Sequence, residues 1–70
     1  MNIDHLVTMA TPIGSFFKSY PDQEKAKEEI ANHLKKFWAP PMRNQIKEHV
    51  AKDAGKGLEV IVIDAIKKYL

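Results

Sequence analysis

Three interruptions limit what this chain can become. Tyr20-Pro21-Asp22, Ala39-Pro40-Pro41 and Ala54-Gly55-Lys56-Gly57 divide it into four short segments, and proline and glycine at such spacing punctuate secondary structure rather than continue it. Each segment carries one apolar stripe. Ile3, Leu6, Val7, Ala10, Ile13, Phe17 and Tyr20 in the first recur at helical spacing, with Asn2 as a candidate N-cap. Pro12 lies about 180° from Ile3 around a helical wheel, on the polar side, and the stripe stays in phase beyond it. That predicts a kink with the proline on the convex side, the alternative being a break in which Thr11 caps a second short helix.

The second helix is expected to start at an Asp22 cap with Glu24 in its first turn, to bury Ala26, Ile30, His33, Leu34 and Phe37 with Trp38 on the flank, and to end near Ala39. Pro41 suits the first turn of a third helix, with a stripe of Met42, Ile46, His49 and Val50 and a C-cap at the glycines. The last segment is ambiguous, because LEVIVID is rich in β-branched residues. Leu58, Ile61, Val62, Ala65, Ile66 and Tyr69 fit a helix, and a lone strand would lack a pairing partner. The expectation is therefore an all-α fold, a bundle of about four short helices forming a single domain over residues 1–70. Val60, Ile63 and Leu70 then fall on the side opposite the core stripe, which predicts an exposed contact patch and weak self-association of the isolated chain.

Composition matters where it removes options. With no cysteine the chain has neither disulfides nor thiolate ligands, so helix packing or a partner must stabilise a core this small. A 44% hydrophobic and 29% charged chain is composed like a folded one. No apolar run is long enough to span a membrane and the N-terminus lacks a basic signal region, so a cytoplasmic protein is expected. The net charge of +2 is uneven. Residues 1–32 hold three Lys against five acids (−2), residues 33–56 six basic residues against two acids (+4), and residues 57–70 balance.

No arrangement typical of chemistry stands out. His33 and His49 fall on different predicted helices without a HExxH pair, so structural roles are expected, His33 as a half-buried, hydrogen-bonded side chain. Ser15 and Ser19 lack a recognisable base and acid, and Gly14 is isolated in a helix. Neither a catalytic residue nor a bound cofactor or metal is expected. The densest cluster of large side chains is Phe37, Trp38, Pro40, Met42 and Arg43. Phe37 and Met42 read as local core, while Trp38 and Arg43 are of the types that anchor interfaces.

Two blocks resemble the delta subunit of soluble, NAD-dependent, molybdenum or tungsten formate dehydrogenases: I-D-H-L-V-T-M-A-T-P-I-G-S-F-F, residues 3–17, and I-A-N-H-L-K-K-F-W-A-P-P-M-R, residues 30–43. The second is the more specific. After residue 43 the likeness thins to Gly57-Leu58, Val62 and Ala65, and Thr11-Pro12 and Val60 depart from the family's pattern, which bears on helix ends. The resemblance implies a non-catalytic subunit without cofactors, associated with a large catalytic subunit that carries the molybdopterin-bound metal and iron–sulfur clusters, and important for assembly or stability of the bacterial complex. Position by position it marks His33, Phe37, Trp38, Pro40, Met42 and Arg43. The partner-binding set expected is thus His33, Trp38, Pro40, Arg43, Lys47, Val60, Ile63 and Leu70, with Arg43 and Lys47 suited to carboxylates and Trp38 to an apolar pocket. The competing reading is a stand-alone helical adaptor or weak nucleic-acid binder using Lys35, Lys36, Arg43, Lys47, Lys52 and Lys56, which predicts salt-sensitive binding. A third, a small enzyme, predicts turnover by the isolated chain.

Overall fold

Four helices form in chain order, α1 (Ile3–Phe17), α2 (Gln23–Phe37), α3 (Pro40–Asp53) and α4 (Val60–Tyr69), and no strand is present among the described residues. The computed structural model describes residues 2–70.

Each end has a chemical reason. Asn2 caps α1, its Oδ1 accepting from the Asp4 N–H at 2.8 Å. The helix runs through Pro12 without a break and keeps that ring exposed. The missing proline N–H leaves the Thr8 carbonyl without its usual partner, tolerable on a solvated face. Gln23 closes the first turn, its Nε2 donating to the Lys18 and Tyr20 carbonyls at 3.0 and 2.8 Å. Asp22 then caps α2 by accepting from the Lys25 N–H.

At the far end α2 stops one residue earlier than the proline pair alone requires. Trp38 is already extended (φ −94°, ψ 136°), followed by Ala39 at the N-cap of α3 and Pro40-Pro41 in its first turn. Trp38 is inside, at 5% exposure, on the side of Ala31 and Leu34, whereas Phe37, expected inside, stands 66% exposed. Arg43 fixes the corner: its Nη1 donates to the Lys35 carbonyl at 2.6 Å and the Trp38 carbonyl at 3.1 Å, satisfying carbonyls that the end of α2 leaves open. The left-handed residue closing α3 is Ala54 (φ 57°), followed by Gly55 (φ 71°), so the expected glycine cap is shifted by one residue.

The core consists of Leu6, Ala10, Ile30, Leu34, Trp38, Ile46, Val50, Val62, Ala65 and Ile66, with Ile3, Val7, Ile13, Phe17 and Leu58 against it. Burying a side chain of the size of Leu or Ile contributes about 1.5–3 kcal/mol, and all four helices share in it. The Cα radius of gyration, 10.8 Å, matches the roughly 11 Å of a folded chain this long. Two glycines permit the closest approaches. A β-carbon on Gly14 would lie 2.5 Å from Val62 Cγ2, so α1 and α4 meet where one of them has no side chain. A β-carbon on Gly55 would lie 2.7 Å from Ile63 Cγ1.

That second contact corrects an expectation. Ile63 is not left outside: it folds over Gly55, and Leu70 also packs partly on the core. Of the predicted patch only Val60 remains openly apolar, at 73% exposure. The wheel placed Ile63 opposite the core stripe, but α4 has neighbours on more than one side, including the loop after α3.

Candidate functional site

Surface features fall into two groups. The first is aromatic and runs between α1 and α2. Phe16 and Phe37, each 66% exposed, are joined through two inner rings. The Phe16 and Phe17 centroids lie 4.9 Å apart, edge to face, Phe17 and His33 6.5 Å, and His33 and Phe37 4.7 Å. Tyr20 meets Phe17 at 5.3 Å. Lys36 Nζ stands 5.9 Å from the Phe37 centroid. Edge-to-face ring pairs each contribute about 0.5–1.5 kcal/mol beyond area burial, so the strip holds its shape while its two end rings face solvent. His33 is half-buried in this strip and makes ring contacts rather than the expected hydrogen bond.

The second group is cationic and lies where α2, α3 and α4 meet. Lys35, Arg43, Asn44, Lys47 and Leu70 line one depression, and Lys47, Val50, Ala51, Ile66, Lys67 and Leu70 line its neighbour. Lys47 and Leu70 are common to both, so the two form a groove with an apolar floor and a basic rim.

The predicted partner-binding residues are therefore scattered. His33 lies in the strip. Lys47 and Leu70 line the groove. Pro40 is exposed at the α2–α3 corner, and Val60 sits near Lys18 and Asp64 on another face. Trp38 is in the core and Arg43 donates to carbonyls of its own chain, so neither is displayed as a free anchor. The basic stretch of the competing reading is likewise divided: Lys52 pairs with Glu48 at 2.8 Å, Lys36 lies by Phe37, and Lys35, Arg43 and Lys47 face the groove.

Two features escaped sequence reasoning. Phe16 and Phe17 are adjacent, and a helix turns about 100° per residue, so both cannot face one core; that signal was present. Phe37 and Trp38 flank the buried stripe of α2 on opposite sides, and the periodicity does not choose between them.

Ser15, Ser19 and His49 have local partners. Ser15 Oγ donates to Glu59 Oε1 at 3.0 Å and Lys18 Nζ lies 3.4 Å from Glu59 Oε2, tying α1 to the start of α4. Ser19 Oγ donates to the Phe16 carbonyl. His49 Nε2 is 2.8 Å from the Lys56 carbonyl and its Nδ1 3.5 Å from Asp53 Oδ2, holding the loop after α3 to its own helix. No group of three or more His, Cys, Asp or Glu side chains converges as a metal site among the described residues. Glu24 is the most perturbed acid, held down to about 2 by donors from Lys68, Tyr69 and Lys27. This is an exposed network that fastens the end of α4 to the start of α2.

Fold and surface together define a small all-α subunit-sized bundle, distinguished by exposed aromatic and cationic faces rather than by a cluster of converging polar groups. The sequence matches the model of the NADH-dependent formate dehydrogenase delta subunit FdsD over residues 5–66, and the chain belongs to that family. Neither the curated proteins nor the solved structures give a match. It is thus a delta-type subunit of a formate dehydrogenase complex, and no helix among the described residues is long and apolar enough to cross a membrane.

Proposed function

We propose that this delta subunit has no turnover of its own and acts by docking onto the large, molybdopterin-containing catalytic subunit of formate dehydrogenase, where it supports assembly or stability of the complex. The observation that carries the reading is the aromatic strip. A chain this short holds Phe16 and Phe37 two-thirds in water while Phe17 and His33 brace them from below. Large aromatic side chains on a pre-set framework lose little conformational freedom on binding and are the kind that anchor interfaces. Pro40, Lys47 and Val60, all exposed, are further candidates for the interface. Trp38, in the core, and Arg43, bonded to the Lys35 and Trp38 carbonyls, hold the corner between α2 and α3.

The test is co-purification. This chain, tagged and co-expressed with the other formate dehydrogenase subunits, is expected to recover a molybdenum- or tungsten-containing large subunit. Phe16→Ser with Phe37→Ser is expected to lose it while keeping the helical circular dichroism of the parent. Recovery of no large subunit by the unaltered chain, or formate-dependent NAD reduction by the isolated chain, sinks the reading.

A further inference from the structure

We infer that the groove between Lys35, Lys47 and Lys67, floored by Leu70, Ala51 and Val50, is a second docking site, and that its occupant is an acidic, amphipathic segment of the large catalytic subunit. The inference rests on the docking role proposed above and adds to it a separate surface with its own chemistry.

Charge carries the argument. Of the seven lysines elsewhere on the molecule five are answered by acids of the same chain, Lys18 by Glu59, Lys25 by Glu29, Lys27 and Lys68 by Glu24, and Lys52 by Glu48, while Lys36 lies over Phe37 and Lys56 stands apart in the loop after α3. Around the groove no acidic side chain lines either depression, and Lys35, Lys47 and Lys67 have no ion-pair partner among the described residues. Arg43, on the same wall, contributes charge while its Nη1 is held by backbone carbonyls. Like charges brought near one another without a counter-charge repel, so the rim is left in its most favourable state only when carboxylates arrive from outside. Between the cations the floor is apolar: Leu70 is half-buried, Val50 nearly buried and Ala51 exposed but small. A segment that offers Asp or Glu at its edges and one or two apolar side chains at its centre satisfies both parts at once.

Other occupants fit less well. A single-stranded nucleic acid would use aromatic side chains to stack bases, and none lines the groove, while a duplex would meet the lysines with phosphates but offer nothing apolar to the floor of Val50 and Leu70. A second copy of this chain has few acids to give: Glu24, Glu29, Glu48, Asp53 and Glu59 are engaged within their own molecule and Asp22 caps α2, which leaves Asp4, Glu28 and Asp64 on three different helices. An anionic lipid surface would meet the lysines, but the apolar part is recessed between them rather than projecting.

The experiment uses the co-expressed complex. Lys47→Glu with Lys67→Glu is compared with Lys52→Glu with Lys56→Glu, which adds the same charge away from the groove. The unaltered complex is also treated with a carbodiimide, which joins a lysine amine directly to a carboxylate, and the links are mapped by mass spectrometry. The groove pair is expected to weaken retention of the large subunit about tenfold or more and the control pair far less. Links are expected from Lys47 or Lys67 to Asp or Glu of the large subunit. Full retention by a groove variant with unchanged circular dichroism, or links from these lysines only within this chain or to a second copy of it, overturns the inference. So does binding of phosphatidylglycerol vesicles or duplex DNA by the isolated chain that vanishes with the groove pair while subunit retention stays intact. Loss of the large subunit with Phe16→Ser and Phe37→Ser but not with the groove pair rejects the groove and leaves the docking role standing. Failure of the unaltered chain to recover the large subunit rejects the role itself, and the groove with it.

Discussion

The aromatic strip and the basic groove lie on one small bundle but are held in place by different physics. In the strip, Phe16 and Phe37 are braced by neighbouring rings, and what they offer a partner is apolar area, worth about 25 cal/mol per Å² removed from water and nearly indifferent to salt. In the groove, lysines stand on flexible stems around a recessed floor, and what they offer is charge, screened over roughly 10 Å at 0.1 M salt. Rigid rings suit slow dissociation, and unanswered cations suit fast encounter with an acidic surface. One buried residue lies next to both in the chain or by hydrogen bond. Trp38 is preceded by Phe37 of the strip, and its carbonyl holds Arg43 of the groove wall.

That shared neighbour gives the largest expected effect. Trp38→Ala empties a site that is 5% exposed, and such truncations cost about 3–5 kcal/mol. A chain of this length has a total stability of only roughly 4–10 kcal/mol, so the variant is expected to melt far below the parent or not to fold. Thermal denaturation followed by circular dichroism checks it, and a small change would mean that strip and groove do not share a foundation. Phe37→Ser, one residue away, is expected to leave the melting curve nearly unchanged and to weaken binding of the large subunit by about 2 kcal/mol, roughly thirtyfold. Titration at two salt concentrations sharpens the contrast, since that loss should be salt-independent while the loss from Lys47→Glu should shrink as salt is added. Arg43→Ala comes next. Removing a charged donor from the exposed Lys35 carbonyl and the part-buried Trp38 carbonyl, which water can reach, costs about 0.5–1.5 kcal/mol of stability. It is expected to show in urea unfolding before it shows in partner retention.

Much of this architecture was legible in the residues, and the exceptions share a cause. Periodicity located four helices because each stripe repeats at helical spacing, and Asn2, Asp22 and Pro40-Pro41 mark helix ends by local chemistry that needs no tertiary information. It resolved the β-rich LEVIVID stretch correctly, because Val62, Ala65 and Ile66 fall on one face only in a helix. What failed lay at helix ends and at second contacts. Trp38 and Phe37 exchange places because they flank the stripe of Ala26, Ile30, Ala31 and Leu34 on opposite sides at the helix end, where periodicity does not choose between them. Ile63 was placed outside because a wheel assumes one buried face, whereas a four-helix bundle closed by a glycine loop can cover a second. The groove was only half visible: Arg43 and Lys47 could be paired from sequence, but Lys67 and Leu70 arrive from another helix, and no local signal brings them there.

The smallest expected effect concerns the network at Glu24, which separates the stability of the bundle from the binding of its two faces. Lys68 Nζ at 2.8 Å, the Tyr69 hydroxyl at 2.6 Å and Lys27 Nζ at 3.2 Å all donate to this carboxylate, holding it ionised down to about 2 instead of the ordinary 4.5. A carboxyl whose value is lowered by folding stabilises the folded state above its unfolded value, and the contribution disappears as pH falls from about 4.5 to about 2. On the alkaline side the sign reverses. Tyr69 and Lys68 are raised by the same carboxylate, so their contribution is present below their ordinary values near 10 and is lost as pH climbs through the raised ones. Glu24→Gln is therefore expected to flatten the stability profile at both ends, with added salt flattening the parent in the same direction because every partner is exposed. No side chain of the strip or the groove bonds to Glu24, and Lys67 and Leu70 share only the backbone of this end of α4, so partner retention at neutral pH should change little. If Glu24→Gln instead releases the large subunit, the Glu24, Lys68 and Tyr69 side of α4 belongs to the interface as well as Lys67 and Leu70, and the division into two faces has to be redrawn around it.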